Sequence, residues 1–360
     1  PGGLDALAPA HAAQHWLSPQ LGVPVVGRAS VGGGGGGIRV GFAAKPLDDA
    51  LDQAQSEAGT AFGVPDVFLE KFIPRARHIE VQLLGDKHGN LVHLFERDCS
   101  IQRRHQKVIE ETPAPRYSDE LRQRMAAAAV AAARGVDYRS AGTVEFIVTP
   151  ENDFYFLEMN TRLQVEHPIT EEVVGVDLVR AQLALAGGGP LPWKQEDLDQ
   201  RGHAIEVRIY AEDPDDRFLP QSGRIAFYHE PSGPGVRVDA GVSQGTEIGV
   251  SFDPMLAKLI CYAESREAAI DRLDRALRDY IILGTKTNIS WLRRLITHPA
   301  FRDGRVSTRF IADHEESLQR FTPDVVAAIA PLLSSFPKQT AQRYAALPSV
   351  RYSGRRWGRP

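Results

Sequence analysis

A short segment of the chain, residues 158–168, reads Glu-Met-Asn-Thr-Arg-Leu-Gln-Val-Glu-His-Pro and places several reactive groups close together. It follows an aromatic, strand-like run and brings Glu158, Asn160, Arg162 and Glu166 into a few consecutive positions. Burying so much charge is unfavourable unless the groups serve one another, a metal ion or a charged substrate. The segment therefore predicts metal or anion chemistry, and a solvated strand end is the plain structural alternative.

Two acids on a predicted hairpin could hold a metal ion. Pairing Glu145 with Glu158 sets them opposite each other, and Asn160 shares the face of Glu158 because side chains alternate along a strand. Two carboxylates and an amide oxygen make a hard-oxygen site suited to Mg²⁺ or Mn²⁺, completed by waters and substrate phosphates. An exposed polar stripe on the hairpin is the alternative.

Cationic residues in two other segments could bind an anion. The run 103–107, Arg-Arg-His-Gln-Lys, predicts a clamp in which Lys107 is a point charge and His105 titrates near neutral pH. Arg208 interrupts an otherwise apolar strand and needs an anionic partner, and a planar anion suits its guanidinium. The alternatives are a solvated charged face for the run and an interdomain ion pair for Arg208.

Two further segments could contact a nucleotide. The glycine run 32–37 predicts a flexible loop whose backbone N–H groups can cradle phosphates. It matches neither the Walker pattern nor a dinucleotide fingerprint, and a plain linker fits it as well. The strand end 70–73, Glu-Lys-Phe-Ile, can offer backbone hydrogen bonds to an adenine and a carboxylate to a ribose. The structural alternative is an edge strand whose charges prevent aggregation.

The elements that must position these residues predict an α+β chain. Strands are expected near residues 23–26, 38–40, 67–73, 78–84, 91–96, 143–148 and 154–158, and over most of 203–263. Helices are expected at 47–58, at 118–134 with Ser118 as its cap, at 266–281 and from about Asn288. The hairpin register sets Val148 opposite Tyr155, with 149–154 as the loop. One apolar stripe is expected on the third helix, formed by Ile270, Leu273, Leu277 and Ile281.

Composition narrows the class of protein. The chain has 360 residues, 42% of them hydrophobic, and a net charge of −4, which predicts a globular protein with no pull towards nucleic acid or an anionic membrane. No apolar run approaches the roughly 20 residues that span a bilayer. With two cysteines and no visible signal peptide, a cytoplasmic location is expected, and a mitochondrial or plastid matrix stays open.

The chain is expected to divide at the Gly/Pro-rich joint 187–190. This gives one domain over 1–190, a second over 191–318 and a weakly structured tail over 319–360. The chain begins at Pro1 without an initiator Met, so we expect a fragment of a longer protein.

Taken together, the motifs resemble those of biotin carboxylase, the ATP-grasp component of acetyl-CoA, propionyl-CoA, methylcrotonyl-CoA and pyruvate carboxylases. The resemblance covers about residues 20–315, and its most specific segments are 70–72, 78–82, 96–107, 158–168, 201–208, 211–214 and 286–288. It implies an ATP-grasp fold over 1–190, then a biotin carboxylase C-terminal domain of mixed β-sheet and helices. It also implies that the family's N-terminal domain is missing here.

The resemblance assigns a role to each candidate residue. Metal ions on the ATP phosphates would be held by Glu145, Glu158 and Asn160. The nucleotide site would be formed by Glu70, Lys71, Ile73, His78, Gln102 and His105, and the phosphates would be covered by Arg28 and the lid glycines Gly33, Gly34 and Gly35. Bicarbonate would be bound by Lys107, Arg162, Gln164 and Val165, with Glu166 as its general base and Arg208 as the group that stabilises the biotin enolate.

The implied reaction is that of a ligase, in which ATP, bicarbonate and biotin give ADP, phosphate and carboxybiotin through carboxyphosphate. Biotin would be supplied on a carboxyl carrier protein or domain, a carboxyltransferase subunit would use the product, and a homodimer is expected. Two positions depart from the family pattern, because Arg28 replaces a lysine and Gly36 replaces a basic lid residue. They motivate one alternative, a non-catalytic Mg-ATP-binding or assembly fragment. A second alternative is another ATP-grasp ligase with an amine or acid acceptor.

Overall fold

The computed structural model describes residues 25–29, 38–41, 44–64, 66–249, 251 and 253–319, and these have the predicted α+β architecture. The strands are β1 (Val25–Ala29), β2 (Ile38–Gly41), β3 (Val67–Lys71), β4 (Arg77–Gly85), β5 (Leu91–Arg103), β6 (Gln106–Thr112), β7 (Ser140–Val148), β8 (Phe154–Asn160), β9 (His203–Tyr210), β10 (Glu212–Asp213), β11 (Leu219–Pro220), β12 (Gly223–Arg224), β13 (Phe227–His229), β14 (Val236–Ala240), β15 (Glu247–Ile248), β16 (Met255–Ala263) and β17 (Ile281–Leu283).

The α-helices are α1 (Ala44–Phe62), α2 (Asp119–Arg134), α3 (His167–Val174), α4 (Leu178–Ala186), α5 (Arg266–Asp279), α6 (Ile289–Thr297), α7 (Pro299–Arg302), α8 (Phe310–Asp313) and α9 (Glu315–Leu318), with a 3-10 turn at Gln195–Asp197. Among the residues that the structure describes, no helix is long and apolar enough to cross a membrane.

An eight-stranded sheet is the centre of the fold, with strand order β14-β16-β9-β6-β5-β4-β7-β8 and antiparallel pairing throughout. A separate three-stranded sheet has the order β2-β1-β3. The large sheet is continuous across the expected boundary at residue 190, because β6 pairs directly with β9. The division of the chain into domains at that point stays a prediction.

Helices cover the sheet with apolar faces whose positions follow from their sequences. Helix α2 is capped by Ser118, as its sequence predicted, and the Ser118 hydroxyl accepts a 3.3 Å hydrogen bond from the Leu121 N–H. The helix buries Met125 and Ala129. Helix α5 packs Ile270, Leu273 and Leu277 into the core formed with β9 and β16.

The fourth residue expected on the α5 stripe, Ile281, is not part of it. The helix ends at Asp279, and Tyr280 already has extended backbone angles. Ile281 therefore belongs to β17, where its side chain is 39% exposed. Ile281 matched the helical spacing of the apolar stripe only because the first residue of β17 is also apolar.

The predicted β7–β8 hairpin is present, but its register is partly wrong. Glu145 pairs with Glu158 as expected, whereas Val148 pairs with Phe154 and not with Tyr155. A bulge lies between Glu145 and Phe146, because Phe146 pairs with Phe156 and leaves Leu157 as an extra residue. The loop is consequently one residue shorter than expected.

We predict that truncating the centre of the α5 face destabilises the protein. Leu273 is fully buried, so Leu273→Ala should lower the free energy of unfolding by about 2–5 kcal/mol through lost burial and a residual cavity. The matched control is Leu183→Ala on α4, where the side chain is 70% exposed and the expected change is within about 0.5 kcal/mol. Urea denaturation of both variants measures the difference, and equal losses would contradict the assignment of the core.

Candidate active site

Lys107 lies at the centre of a buried cluster of opposite charges. Its ammonium, which extends from β6, contacts Glu80 of β4 and lies 2.9 Å from Oε1 of Glu145 on β7 and 2.6 Å from Oε1 of Glu166. The three carboxylates are almost fully buried. Because a buried charge without a partner is strongly unfavourable, the lysine is the group that allows these acids to coexist.

The electrostatics of the cluster keep its members charged. Burial opposes the charge on Lys107, but Glu80 and Glu166 outweigh it and raise the lysine pKa well above its ordinary value. Burial also opposes the charge on Glu80, yet Lys107 and Arg97 lower its pKa to about 2. Burial is likewise outweighed at Glu145, whose pKa falls below its usual range because of His78 and Lys107.

Glu166 is held between two cations that come from different strands. Its Oε1 accepts from Lys107 Nζ at 2.6 Å, and its Oε2 accepts from Arg208 NH2 at 3.0 Å. It is also the N-cap residue of α3, but its side chain makes no capping hydrogen bond. The carboxylate is therefore directed towards the cations, and both of its oxygens have a cationic donor.

Arg97 ties the acid cluster to the segment after β8. Its side chain is fully buried. Nε donates to Glu80 Oε1 at 2.6 Å, and Nη2 donates to Gln164 Oε1 at 3.0 Å. Nη1 donates to Gln82 Oε1 at 2.7 Å and to Thr170 Oγ1 at 3.0 Å. With most of its donors satisfied, Arg97 fixes the relative positions of Glu80 and Gln164.

The predicted metal ligands converge at the edge of this cluster. Asn160 Nδ2 lies 3.0 Å from Glu145 Oε1 and 3.3 Å from Glu158 Oε1, so three oxygen-bearing side chains meet at one place. The Gln164 amide also donates to Glu145 Oε1 at 2.8 Å. A turn of the Asn160 amide about its terminal torsion would present an oxygen beside the two carboxylates. This donor set fits a hard divalent cation such as Mg²⁺.

The predicted nucleotide-binding residues fall into two groups. His78 and Gln102 adjoin the cluster, because His78 Nε2 lies 2.8 Å from Glu145 Oε2 and His78 Nδ1 lies 2.7 Å from Gln102 Nε2. The others lie farther along the sheets: Glu70 and Lys71 are in β3, Ile73 follows it, and His105 is exposed in the β5–β6 turn with φ 66°. Arg28 contributes its backbone to β1, and Gly33, Gly34 and Gly35 lie outside the described residues.

Other predicted anion-binding groups are directed elsewhere. Arg162 is exposed, and its guanidinium donates to the Leu163 carbonyl at 3.2 Å. Arg103 pairs with both carboxylate oxygens of Glu212 at 2.7 Å, so Lys107 is the member of the 103–107 run that reaches the cluster.

Sequence reasoning assigned no role to Glu80, Arg97 or Lys258. Lys258 of β16 donates to the Val165 carbonyl at 2.8 Å and so fixes the backbone beside Glu166. A signal for all three was available, because each is a charged residue within a largely apolar strand. Such a residue must find a partner when the strand is buried.

Comparisons with known proteins identify the family of the chain. A family model described as "Carbamoyl-phosphate synthase L chain, ATP binding domain" matches residues 5–194, and one described as "Biotin carboxylase C-terminal domain" matches residues 206–313. Methylcrotonoyl-CoA carboxylase subunit alpha, mitochondrial, of Dictyostelium discoideum is 52% identical over 300 residues. That match spans 83% of this chain but only 43% of the relative.

Biotin carboxylase of Halalkalibacterium halodurans is 49% identical over 314 residues, which are 87% of this chain and 69% of that protein. A crystal structure of the biotin carboxylase domain dimer of Hydrogenobacter thermophilus 2-oxoglutarate carboxylase, with MgADP, ADP and bicarbonate, has a TM-score of 0.87 at 44% identity. It matches 89% of this chain and 71% of that chain. The fold is thus of the ATP-grasp biotin carboxylase type, and the chain belongs to the biotin carboxylase family.

Proposed function

We propose that this chain carboxylates biotin at the expense of ATP and bicarbonate, with carboxyphosphate as the intermediate. The observation that carries the proposal is the position of Glu166 between Lys107 and Arg208. A base flanked by two fixed cations suits a reaction in which an anionic substrate loses a proton and gives a more highly charged intermediate. The bicarbonate bound in the Hydrogenobacter thermophilus domain supports the same substrate class.

In the first step, bicarbonate binds beside Lys107 with Gln164 and the backbone of Val165. Glu166 accepts the bicarbonate proton while a bicarbonate oxygen attacks the γ-phosphoryl group, and ADP leaves. Arg162, which is exposed in the structure, would turn towards the bound anion, because a guanidinium pairs well with a planar carboxylate-like group. The protein provides positioning and positive charge, which is what phosphoryl transfer mainly requires.

In the second step, carboxyphosphate breaks down to CO₂ and phosphate, the phosphate takes the ureido N–H proton of biotin, and the nitrogen bonds to the CO₂. Arg208 stabilises the negative charge on the enolate form of biotin in this step. Arg208 lies on β9, and its guanidinium donates to Glu166. Its Nε also donates to Glu110 Oε1 at 2.7 Å. A guanidinium that is held on one side can present its remaining donors to a ureido oxygen. The cation that binds the base would thus serve both halves of the reaction.

The nucleotide site follows from the remaining predicted residues. Glu145, Glu158 and Asn160 would hold Mg²⁺ or Mn²⁺, and the bound ion would neutralise charge on the ATP phosphates. The base and ribose would be bound by residues of β3 and its neighbours: Glu70, Lys71, Ile73, His78, Gln102 and His105.

The partners and compartment belong to the proposal as well. Biotin would arrive on a carrier protein or domain, and a carboxyltransferase subunit would consume the carboxybiotin. The Hydrogenobacter thermophilus domain is a dimer, which supports a homodimer here. Cys99 and Cys261 are free and buried, which suits a reducing compartment such as the cytoplasm or an organelle matrix.

The direct test measures ADP release from Mg-ATP with bicarbonate and free biotin, each omitted in turn. Release that requires bicarbonate supports the proposal. The competing function is a non-catalytic Mg-ATP-binding fragment, motivated by Arg28 and Gly36. Tight Mg-ATP binding in a calorimeter without bicarbonate-dependent release would favour that alternative.

We predict that Glu166→Gln removes the general base while the nucleotide site persists. Bicarbonate-dependent ADP release should fall by about 10²–10⁴-fold, the usual contribution of a positioned base. Mg-ATP binding, measured by calorimetry, should change little. The control is Glu264→Gln, at an exposed residue after β16. Wild-type turnover in Glu166→Gln would remove Glu166 from the mechanism.

We predict that Glu158→Gln weakens the metal site. Loss of one anionic ligand should raise the half-saturating Mg²⁺ concentration for ADP release at least about tenfold, equivalent to about 1.4 kcal/mol. The matched control, Glu151→Gln, lies exposed in the loop of the same hairpin and should leave the Mg²⁺ titration unchanged. Identical titrations for the two variants would rule Glu158 out as a ligand.

A further inference from the structure

Two buried carboxyl groups face each other beside the proposed active site. Glu110 of β6 and Glu206 of β9 are direct partners in the antiparallel register, and both are completely buried. Directly opposite residues have Cβ atoms about 4.5–5.5 Å apart, so their carboxyl groups can touch. Within the part of the chain that the structure describes, Glu110 Oε2 and both oxygens of Glu206 have no hydrogen-bond partner.

Few positive charges face this pair. Arg208 donates Nε to Glu110 Oε1 at 2.7 Å, and its NH2 also binds Glu166. Lys258 of β16 is nearby, but its ammonium is occupied by the Val165 carbonyl at 2.8 Å and Asp239 at 3.3 Å. Among the described residues, Arg208 is therefore the cation that hydrogen-bonds to the pair, whereas Lys258 and Lys107 favour its charged form only through space.

The other described elements packed against this region place no further cation within hydrogen-bonding distance of the pair. Helix α3 packs Ile169 and Val173 over this face of β9, and its titratable residue His167 is turned to the Gln164 carbonyl at 2.7 Å. Lys107 of β6 is engaged by its own carboxylates. Glu111, the residue that follows Glu110, is paired with Arg266 at 2.6 Å and with His203 at 2.9 Å.

Two ionised carboxylates on directly opposed, fully buried residues are strongly unfavourable, and a shared proton is the usual resolution. The direction of the pKa shift of each group agrees with this geometry. Burial, reinforced by Glu110, raises the pKa of Glu206 well above its ordinary value. Burial also raises the pKa of Glu110 to about 7 although Arg208 opposes the shift.

We propose that Glu110 and Glu206 hold one proton between them, with Glu206 donating it to Glu110 Oε2, and that this protonated pair positions Arg208 for the carboxylation of biotin. The inference rests on the proposed function. The pair then carries a single negative charge, which anchors Arg208 without drawing it away from Glu166. Glu206 is a positioning residue that acts through Glu110 and Arg208.

Loss of the shared proton changes this balance. A second negative charge appears on the anchoring side of Arg208, so the guanidinium is pulled towards the pair and away from Glu166 and biotin. The biotin-dependent rate should therefore decline on the alkaline side of neutrality, as the last proton leaves the pair. An amide at position 206 can still donate to Glu110 Oε2 but cannot lose its proton in this range.

The experiment compares pH profiles of biotin-dependent ADP release for the wild type, Glu206→Gln, Glu206→Leu and the exposed control Glu264→Gln. We expect Glu206→Gln to stay within about threefold of the wild type at neutral pH and its alkaline decline to move up by at least about one pH unit. Glu206→Leu leaves Glu110 Oε2 unpaired and should lose at least about tenfold in kcat. Profiles of wild type and Glu206→Gln that superimpose would overturn the proposal.

A second readout needs neither turnover nor a stable variant. Infrared spectra of the wild type with ¹³C-labelled glutamate should contain the carbonyl stretch of a buried protonated carboxyl group at neutral pH, which disappears at alkaline pH. Its absence from the wild type overturns the shared proton. An inactive wild type that retains the band would refute the proposed function alone, whereas an active wild type without the band would refute only the shared proton.

Discussion

The neutralisation of buried charge at Lys107 is the constraint on which the rest of the site depends. One ammonium contacts Glu80, Glu145 and Glu166, which come from two strands and the segment before α3, and Arg97 and Arg208 add further positive charge at Glu80 and Glu166. Each acid is far from the lysine in sequence, so the cluster forms only when the sheet is assembled in its native order. A rearranged strand order would leave charges buried without partners, and the cluster therefore selects this fold as well as serving it.

The same compensation describes a resting state. Lys107 is saturated by the protein's own acids, so an incoming anion must compete with them. Glu145 is shared between Lys107 and the metal-binding set, where Asn160 contacts it at 3.0 Å. On the proposed function, Glu145 would help to hold the metal ion of ATP while it also contacts the lysine that would bind bicarbonate. One carboxylate would then adjoin both substrates.

The sequence was sufficient to predict the α+β class, helix α2 with its cap, and the convergence of Glu145, Glu158 and Asn160, because these follow from local periodicity and one strand pairing. It was not sufficient to place the Leu157 bulge, since an extra strand residue leaves no mark in the alternation on either side of it. Nor could it give Arg97 or Glu80 a role, because their partners lie on other elements and a charged residue in a strand does not identify them.

The pairing of β6 with β9 has a consequence for how this chain can evolve. Four residue pairs, from Ile109 with Val207 to Thr112 with Ala204, join β6, which lies in the region matched by the first family model, to β9, most of which lies in the region matched by the second. Glu166 contacts one cation on each of these strands. A recombination event that exchanged one region for that of a distant homologue would replace the strand that carries one of these cations and keep the other. The charges around Glu166 would then no longer be matched. The two regions are therefore expected to be inherited together, as one genetic unit.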